Sequence, residues 1–165
     1  MVNKKKKAKK AEAVHASCAF QVAVENTVDV KNGFCEGIKA IKKSDRSKVH
    51  ADDTKKIQGS LDIDTQVRTL YPEEPRWDYA LSYDDKIYFF EVHPAETSEV
   101  DKVIKKVKWL KDWLKNEATK IDKLPKSEHP YTWIQSGHNG ILATASVTRK
   151  LAVAGITTAN MLKLK

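Results

Sequence analysis

The 165-residue chain predicts a single α/β domain with a mixed central sheet flanked by helices. Three observations predict it. Over residues 57–93 the apolar period becomes two, and Asp84-Asp85 separates two apolar runs, the pattern of a three-strand meander. A long amphipathic stretch follows, with Val100, Val103, Ile104, Val107, Leu110 and Leu114 on one helical face. Shorter strand and helix patterns then alternate, so the order is α, three strands, α, β, α, β, with no internal repeat. The length suits one domain, because domains usually run to roughly 100–200 residues.

Residues from about Ala11 to Lys43 read mainly as helix, with Val30, Phe34, Ile38 and Ile41 at helical spacing and a break at Asn32-Gly33. Phe20, Val22 and Val24 alternate, which fits a short strand instead. From Ile57 a first strand turns Leu61, Ile63 and Val67 one way and Asp62, Asp64 and Gln66 the other. Trp77–Tyr83 and Lys86–His93 form a hairpin, and the run Ile87-Tyr88-Phe89-Phe90 marks a central strand buried on both faces. Thr97 or Ser98 caps a helix reaching about Lys115. Tyr131–Gln135 is a strand, Ser136–Gly140 a glycine-bearing turn, Thr144–Ala154 a helix stopped by Gly155, and Ile156–Leu164 a last strand.

The net charge of +8 is unevenly placed. Residues 1–10 hold six lysines and no acid, leaving the rest nearly balanced at 24 basic against 22 acidic residues. This tail is expected to be disordered, either a solubilising arm or one that tracks phosphates with salt-sensitive affinity. Residues 11–101 carry 18 acids against 11 bases, and residues 102–126 nine lysines against three acids, so an acidic half faces a basic patch. Cys18 and Cys35 have no CxxC or paired histidines near them, which argues against a disulfide framework or structural zinc. No apolar run approaches the roughly 20 residues a membrane helix needs, so a cytoplasmic protein without membrane association is expected.

The chemistry is concentrated around the hairpin. Asp78 and Glu91 have twelve residues between them, a span that a tight hairpin closes. Glu91 and His93, at i and i+2, leave the same face of one strand about 7 Å apart. Pro94 holds His93 extended and ends the ladder where a site can open. Two carboxylates, with a carbonyl such as that of Val92, are hard ligands that Mg²⁺ or Mn²⁺ accepts while keeping waters, one of which can be the nucleophile. The structural alternative satisfies Asp78 through Arg76 or a turn amide and leaves Glu91 and His93 as a polar pair at a strand end.

The stretch Pro75-Arg76-Trp77-Asp78 through Phe90-Glu91-Val92-His93 resembles the PD-(D/E)XK, or restriction-endonuclease-like, nuclease superfamily, and the order of elements extends the resemblance over most of residues 28–135. It implies a restriction-endonuclease-like core, Asp78 and Glu91 as metal ligands, and hydrolysis of phosphodiester bonds in DNA more readily than RNA. A glutamate on the first helix often completes such sites, and Glu25 and Glu36 both qualify. The departure is His93, which stands where the superfamily usually has lysine. With a reference pKa near 6.5, histidine is mostly neutral at neutral pH, so it would act as a general base or as a third ligand favouring Mn²⁺. The missing positive charge would come from Lys102, Lys105 or Lys106 of the next helix, and Lys102 joins Asp78, Glu91 and His93 as a candidate catalytic residue. Members of the superfamily do move this lysine, and others have lost catalysis and kept the fold. A silent module binding nucleic acid or a protein partner is therefore the alternative.

Trp109 and Trp113 fall opposite the apolar face of the long helix, beside Lys102, Lys105 and Lys106. Such a strip suits phosphate contact with base stacking, or packs under another element or the partner of a homodimer. Asp62 and Asp64 form a second acidic i, i+2 pair on a strand, either a solvated face or residues beside the site, and Ser136–Gly140 offers amides to an anion.

Overall fold

The computed structural model describes residues 16–141 and 144–165. The elements are α1 (Ala19–Glu25), β1 (Cys35–Glu36), β2 (Val49–Ala51), β3 (Ile57–Asp62), α2 (Ile63–Val67), β4 (Tyr79–Tyr83), β5 (Lys86–Glu96), α3 (Val100–Asn116), α4 (Thr119–Asp122), β6 (Lys126–Gly140), α5 (Ala145–Ala154), β7 (Ile156–Ala159) and β8 (Leu162–Leu164). The lysine tail and the start of the first predicted helix lie outside the described residues. Among the described residues, no helix is long and apolar enough to cross a membrane.

The central sheet is mixed, with six strands in the order β1-β3-β4-β5-β6-β7 among the described residues. Neighbours are antiparallel from β1 to β5 and parallel from β5 to β7. Because side chains alternate across a strand, the sheet has two dry faces. Ala80, Ile87, Phe89 and Trp133 meet Phe20, Val24, Val103, Val107 and Leu110 on the helical face. Tyr79, Leu81, Tyr83, Phe90 and Ile134 meet Ile41, Leu162 and Leu164 on the other. β2 and β8, paired in parallel, belong to a separate two-strand sheet whose Leu162 and Leu164 join that second face.

The hairpin forms as predicted. Asp84 and Asp85 both have positive φ, 49° and 61°, the backbone a two-residue turn between twisted strands requires. Gln58 braces it by accepting from the Asp85 amide at 3.0 Å and donating to the Asp85 carboxylate at 2.6 Å.

Several expectations are corrected. The long first helix is only α1. Val30 and Phe34 join the helical face while Ile38 and Ile41 join the opposite one, so residues 28–41 wrap around the β1 edge of the sheet rather than presenting one helical face. Gly33 permits the wrap, because a Cβ there would come within 2.6 Å of Leu61 Cδ1. The first strand ends at Asp62, whose carboxylate accepts from the Thr65 amide at 2.9 Å and starts α2. Ile63 and Val67 are therefore an i, i+4 buried pair of a helix, and Asp62 and Asp64 do not share a strand face. Ser136–Gly140 continues β6 alongside β5 instead of forming a turn.

Pro94 does not end β5, which continues to Glu96. The Val92 amide points toward the Asp78 side of β5, and Pro94 two residues on faces the same way, past the end of β4 where there is no ladder bond to lose. The last predicted strand is two, broken at Asn160-Met161 so that β7 and β8 serve different sheets.

Close packing of β1 on β3 yields a test. A methyl on Gly59 would overlap the Phe34 ring and meet the Cys35 carbonyl oxygen at 3.1 Å. Gly59→Ala is expected to cost about 1–3 kcal/mol through overpacking, read as a lowered urea midpoint with unchanged slope.

Candidate active site

The ladder itself explains why two acids meet. Tyr79 pairs with Phe90 and Ala80 with Phe89, which sets Asp78, one residue before β4, across from Glu91. Asp78 shares a strand side with Ala80, and Glu91 with Phe89, so both project onto the helical face, below α3. Where β4 stops, side chains replace its backbone bonds. The Asp78 amide donates to Glu91 Oε2 at 3.0 Å, and the Val92 amide donates to Asp78 Oδ2 at 3.1 Å. Each carboxylate thus has one oxygen tied to the backbone and one left over.

Both remaining oxygens face Lys106, which descends from α3. Its ammonium donates to Glu91 Oε1 and lies 3.9 Å from Asp78 Oδ1. Glu91 is fully buried, and Lys106 and Asp78 are 20 % and 18 % exposed, so this is an ion cluster largely shielded from water. Burial first, and then the Glu91 carboxylate, push the Asp78 carboxyl up to about 7, against the pull of Lys106 and the Val92 amide. Burial alone would lower the Lys106 ammonium, but Glu91 and Asp78 override it and hold the group above its ordinary range.

His93 lies between two acids, with Nδ1 3.5 Å from Glu91 Oε1 and Nε2 2.5 Å from Glu99 Oε2. Bonding to Glu91 outweighs the opposing effect of burial and, with Glu99, raises the imidazole above its ordinary value. With an acid at each nitrogen the ring is favoured as a cation, which runs against the expectation of a neutral base. Its carbonyl accepts from Trp133 Nε1 at 3.0 Å, which fixes the strand under the ring. Glu99 also accepts from Lys102 Nζ at 2.8 Å, and Lys102 and then His93 lower its carboxyl.

Of the predicted residues, Asp78, Glu91 and His93 therefore come together. Lys102 does not join them: it is 64 % exposed and is held by Glu99, one turn of α3 short of the carboxylates. Lys105 is exposed. Lys106 takes the place, because it sits on the edge of the buried stripe that carries Val103, Val107 and Leu110. Glu25 accepts from Gln21 and the exposed Glu36 pairs with Lys39, so neither completes the site.

Asp64 lies beside the site, as one of its two expected placements has it, but it reaches there from α2 and not from a strand face, and its charge acts on both Asp78 and Lys106. It accepts from Arg76 Nε and Arg68 at 2.8 Å each, and these two guanidinium groups lower its carboxyl against the effect of burial. Arg76 also donates to the carbonyls of Tyr71 and Pro72, so it serves as a clamp on the loop before β4 rather than as a partner of Asp78. The loop between them follows no regular period, so spacing alone does not reveal the pair.

The tryptophan strip is corrected as well. Trp113 is buried, 3 % exposed, donates to Asp29 at 3.0 Å, and is stacked against the half-buried Trp109, so it is not a free platform for bases. The helix turns it inward because Asp29 offers its indole N–H an acceptor.

The donor set fits a hard divalent cation of the water-rich kind. Asp78 Oδ1 and Glu91 Oε1, hard oxygen donors on neighbouring strands, already converge on one ammonium. Among the described residues, no group of three or more His, Cys, Asp or Glu side chains is arranged to hold a metal, so waters and backbone oxygen would supply the remaining ligands of Mg²⁺ or Mn²⁺. No family model, curated protein or solved structure matches the chain.

The site makes stability depend on pH in a definite direction. Asp78 keeps its proton in the folded state up to about 7 but loses it near 3.8 when unfolded, so stability falls as pH rises through that window. His93, raised above 6.5, contributes stability that is complete below 6.5 and lost as pH rises through its folded value. Both act alike. Urea titrations at pH 5 and 8 are expected to show a less stable protein at pH 8, and Asp78→Asn to remove most of the part between pH 4 and 7.

Proposed function

We propose that this chain is a divalent-metal-dependent nuclease with a restriction-endonuclease-like core, hydrolysing phosphodiester bonds of DNA more readily than RNA. The observation that carries the reading is the convergence of Asp78 and Glu91, from paired strands, on the ammonium of Lys106. The α/β architecture with antiparallel β3–β4–β5, a helix and then a parallel β6 supports it, since that order agrees with the resemblance around Asp78 and Glu91.

Asp78 and Glu91 would hold Mg²⁺ or Mn²⁺, which when bound lowers the pKa of a coordinated water and neutralises developing charge on the phosphate. Lys106 would carry the role of the motif lysine, delivered from α3 instead of β5, and would orient the attacking water or hold a phosphate oxygen. His93, kept cationic by Glu91 and Glu99, would add positive charge for the phosphodiester. Exposed Lys102 and Lys105 extend that field along α3 toward a polyanion.

A second reading rests on a specific observation: Lys106, with His93 beside it, already satisfies the Glu91 carboxylate from within the chain, so the fold could persist as a silent module binding nucleic acid or a protein. The two separate in one assay. Purified protein is incubated with plasmid, single-stranded DNA, branched DNA and RNA, over Mg²⁺ and Mn²⁺ and pH 6–9. Metal-dependent cleavage abolished by Asp78→Ala together with Glu91→Ala supports the nuclease. Cleavage that survives both substitutions removes the site, and absence of cleavage with salt-sensitive DNA binding favours the silent module.

A further inference from the structure

One turn beyond Lys106, α3 carries a second constellation of a different chemistry. Tyr71 and Trp109 meet edge to face, with ring centroids 5.7 Å apart and planes at 70°, and so form a corner. Trp113 backs it, stacked on Trp109 at 5.8 Å with planes only 10° apart. The polar ends of two of these rings are tied down behind the corner. Tyr71 Oη and Trp113 Nε1 both donate to Asp29 Oδ2, at 2.8 and 3.0 Å, which fixes the rings without a ligand.

In front of the rings is a cavity of about 170 Å³, which Asp112, Asn116 and Glu117 also line. These three are exposed, and among the described residues no lysine or arginine lines the cavity. The surroundings are electronegative: burial first, and then the carboxylates of Asp29 and Glu117, push the Tyr71 phenol up to about 12.

Electron-rich aromatic rings set at 70° to each other, with carboxylates at the rim, attract a positive charge. A small metal ion would have to shed a tightly held hydration shell to touch the rings, whereas a methylated ammonium is bulky, weakly hydrated and presents polarised methyl groups. The negative rim disfavours a phosphate, which argues against base stacking of nucleic acid here. The geometry points to a binding site for a methylated ammonium group, either a small quaternary amine or a methylated lysine side chain, in the corner of Tyr71 and Trp109 over Trp113, with Asp112 and Glu117 at its rim. The site uses none of the groups around Asp78 and Glu91, and stands or falls independently of the nuclease reading.

Tryptophan fluorescence and indole N–H shifts of the full chain, titrated with tetramethylammonium chloride, choline, and short peptides carrying lysine or trimethyl-lysine, test it. Expected is a saturable change with methylated ligands that potassium chloride at the same ionic strength does not reproduce. Trimethyl-lysine peptide binding at least tenfold tighter than free tetramethylammonium would assign the source to a protein partner, and equal or weaker binding to a small amine. Trp109→Ala should weaken binding at least tenfold. Because Trp109 is half-buried, the exposed pair Asp112→Asn and Glu117→Gln provides a second variant, expected to weaken it several-fold in a folded protein. Absence of saturable binding, an equal response to potassium or unmethylated peptide, or unchanged affinity in the Asp112/Glu117 variant would overturn the assignment.

Discussion

Replacing Lys106 by methionine is expected to destabilise the metal-free protein by about 3–5 kcal/mol, the range for removing one partner of a buried ion pair. Methionine keeps an apolar stem of similar length at the edge of the α3 stripe that carries Val103, Val107 and Leu110, so little of the loss should come from packing. What remains is Glu91, fully buried, with His93 at 3.5 Å as its nearest other cation and an Asp78 carboxyl opposite. The diagnostic feature is recovery. A divalent ion placed between the carboxylates replaces the missing charge, so saturating Mn²⁺ should restore a substantial part of the lost stability in Lys106→Met and add less to the wild type. Urea denaturation with and without Mn²⁺ reads both, and a loss below about 1 kcal/mol would show that the Lys106–Glu91 pair does not hold the site together.

The second large effect is on catalysis. Glu91→Gln preserves shape and the acceptor for the Asp78 amide, since the side-chain amide retains one carbonyl oxygen, but removes the charge that faces Lys106. Cleavage is expected to fall by about three orders of magnitude, roughly 4 kcal/mol of transition-state stabilisation. The fold should survive, because the loss of negative charge also relieves Asp78. Lys102→Ala should change cleavage by less than about tenfold, since exposed charges act through a screened field, whereas Lys106→Ala should approach the Glu91 effect. Rates measured at saturating Mn²⁺ separate the two lysines, and equal effects would contradict the placement of Lys106.

What was legible in the sequence divides along physical lines. The β4–β5 hairpin, the body of α3, α5 and the left-handed Gly155 stop were readable because each is specified by residues close in the chain, whereas the expected Thr97 or Ser98 cap is not made: a 3-10 turn over Thr97–Glu99 leads into α3 instead. Equally readable was the meeting of Asp78 and Glu91, which depends only on hairpin register. Residues 28–41 were misread because helical spacing of Val30, Phe34, Ile38 and Ile41 arises here from a chain that crosses the sheet edge and feeds two cores. Ile63 was misread because Leu61 and Ile63 satisfy a period of two whether or not a helix starts between them; the Asp62 cap decides it.

In the site, the choice among three lysines was not legible, because it depends on the angle at which α3 crosses β5, and only Lys106 lies on the inward edge. The cationic tendency of His93 required Glu99, six residues on and past the end of β5, a pairing that neither strand alternation nor helical spacing specifies. Trp113 turned inward for a partner 84 residues away, Asp29, a contact no periodicity encodes.

The central claim is that Asp78 and Glu91 together hold one divalent ion. Calorimetric titration of the wild type with Mn²⁺ at pH 6, 7 and 8, alongside Asp78→Asn and Glu91→Gln, tests it most directly. The account predicts one ion per chain, proton release on binding near pH 7, affinity that rises from pH 6 to 8 as the Asp78 proton is lost, and loss of binding in both variants. No Mn²⁺ binding by the wild type at any of these pH values, or binding that either variant leaves unchanged, would contradict it.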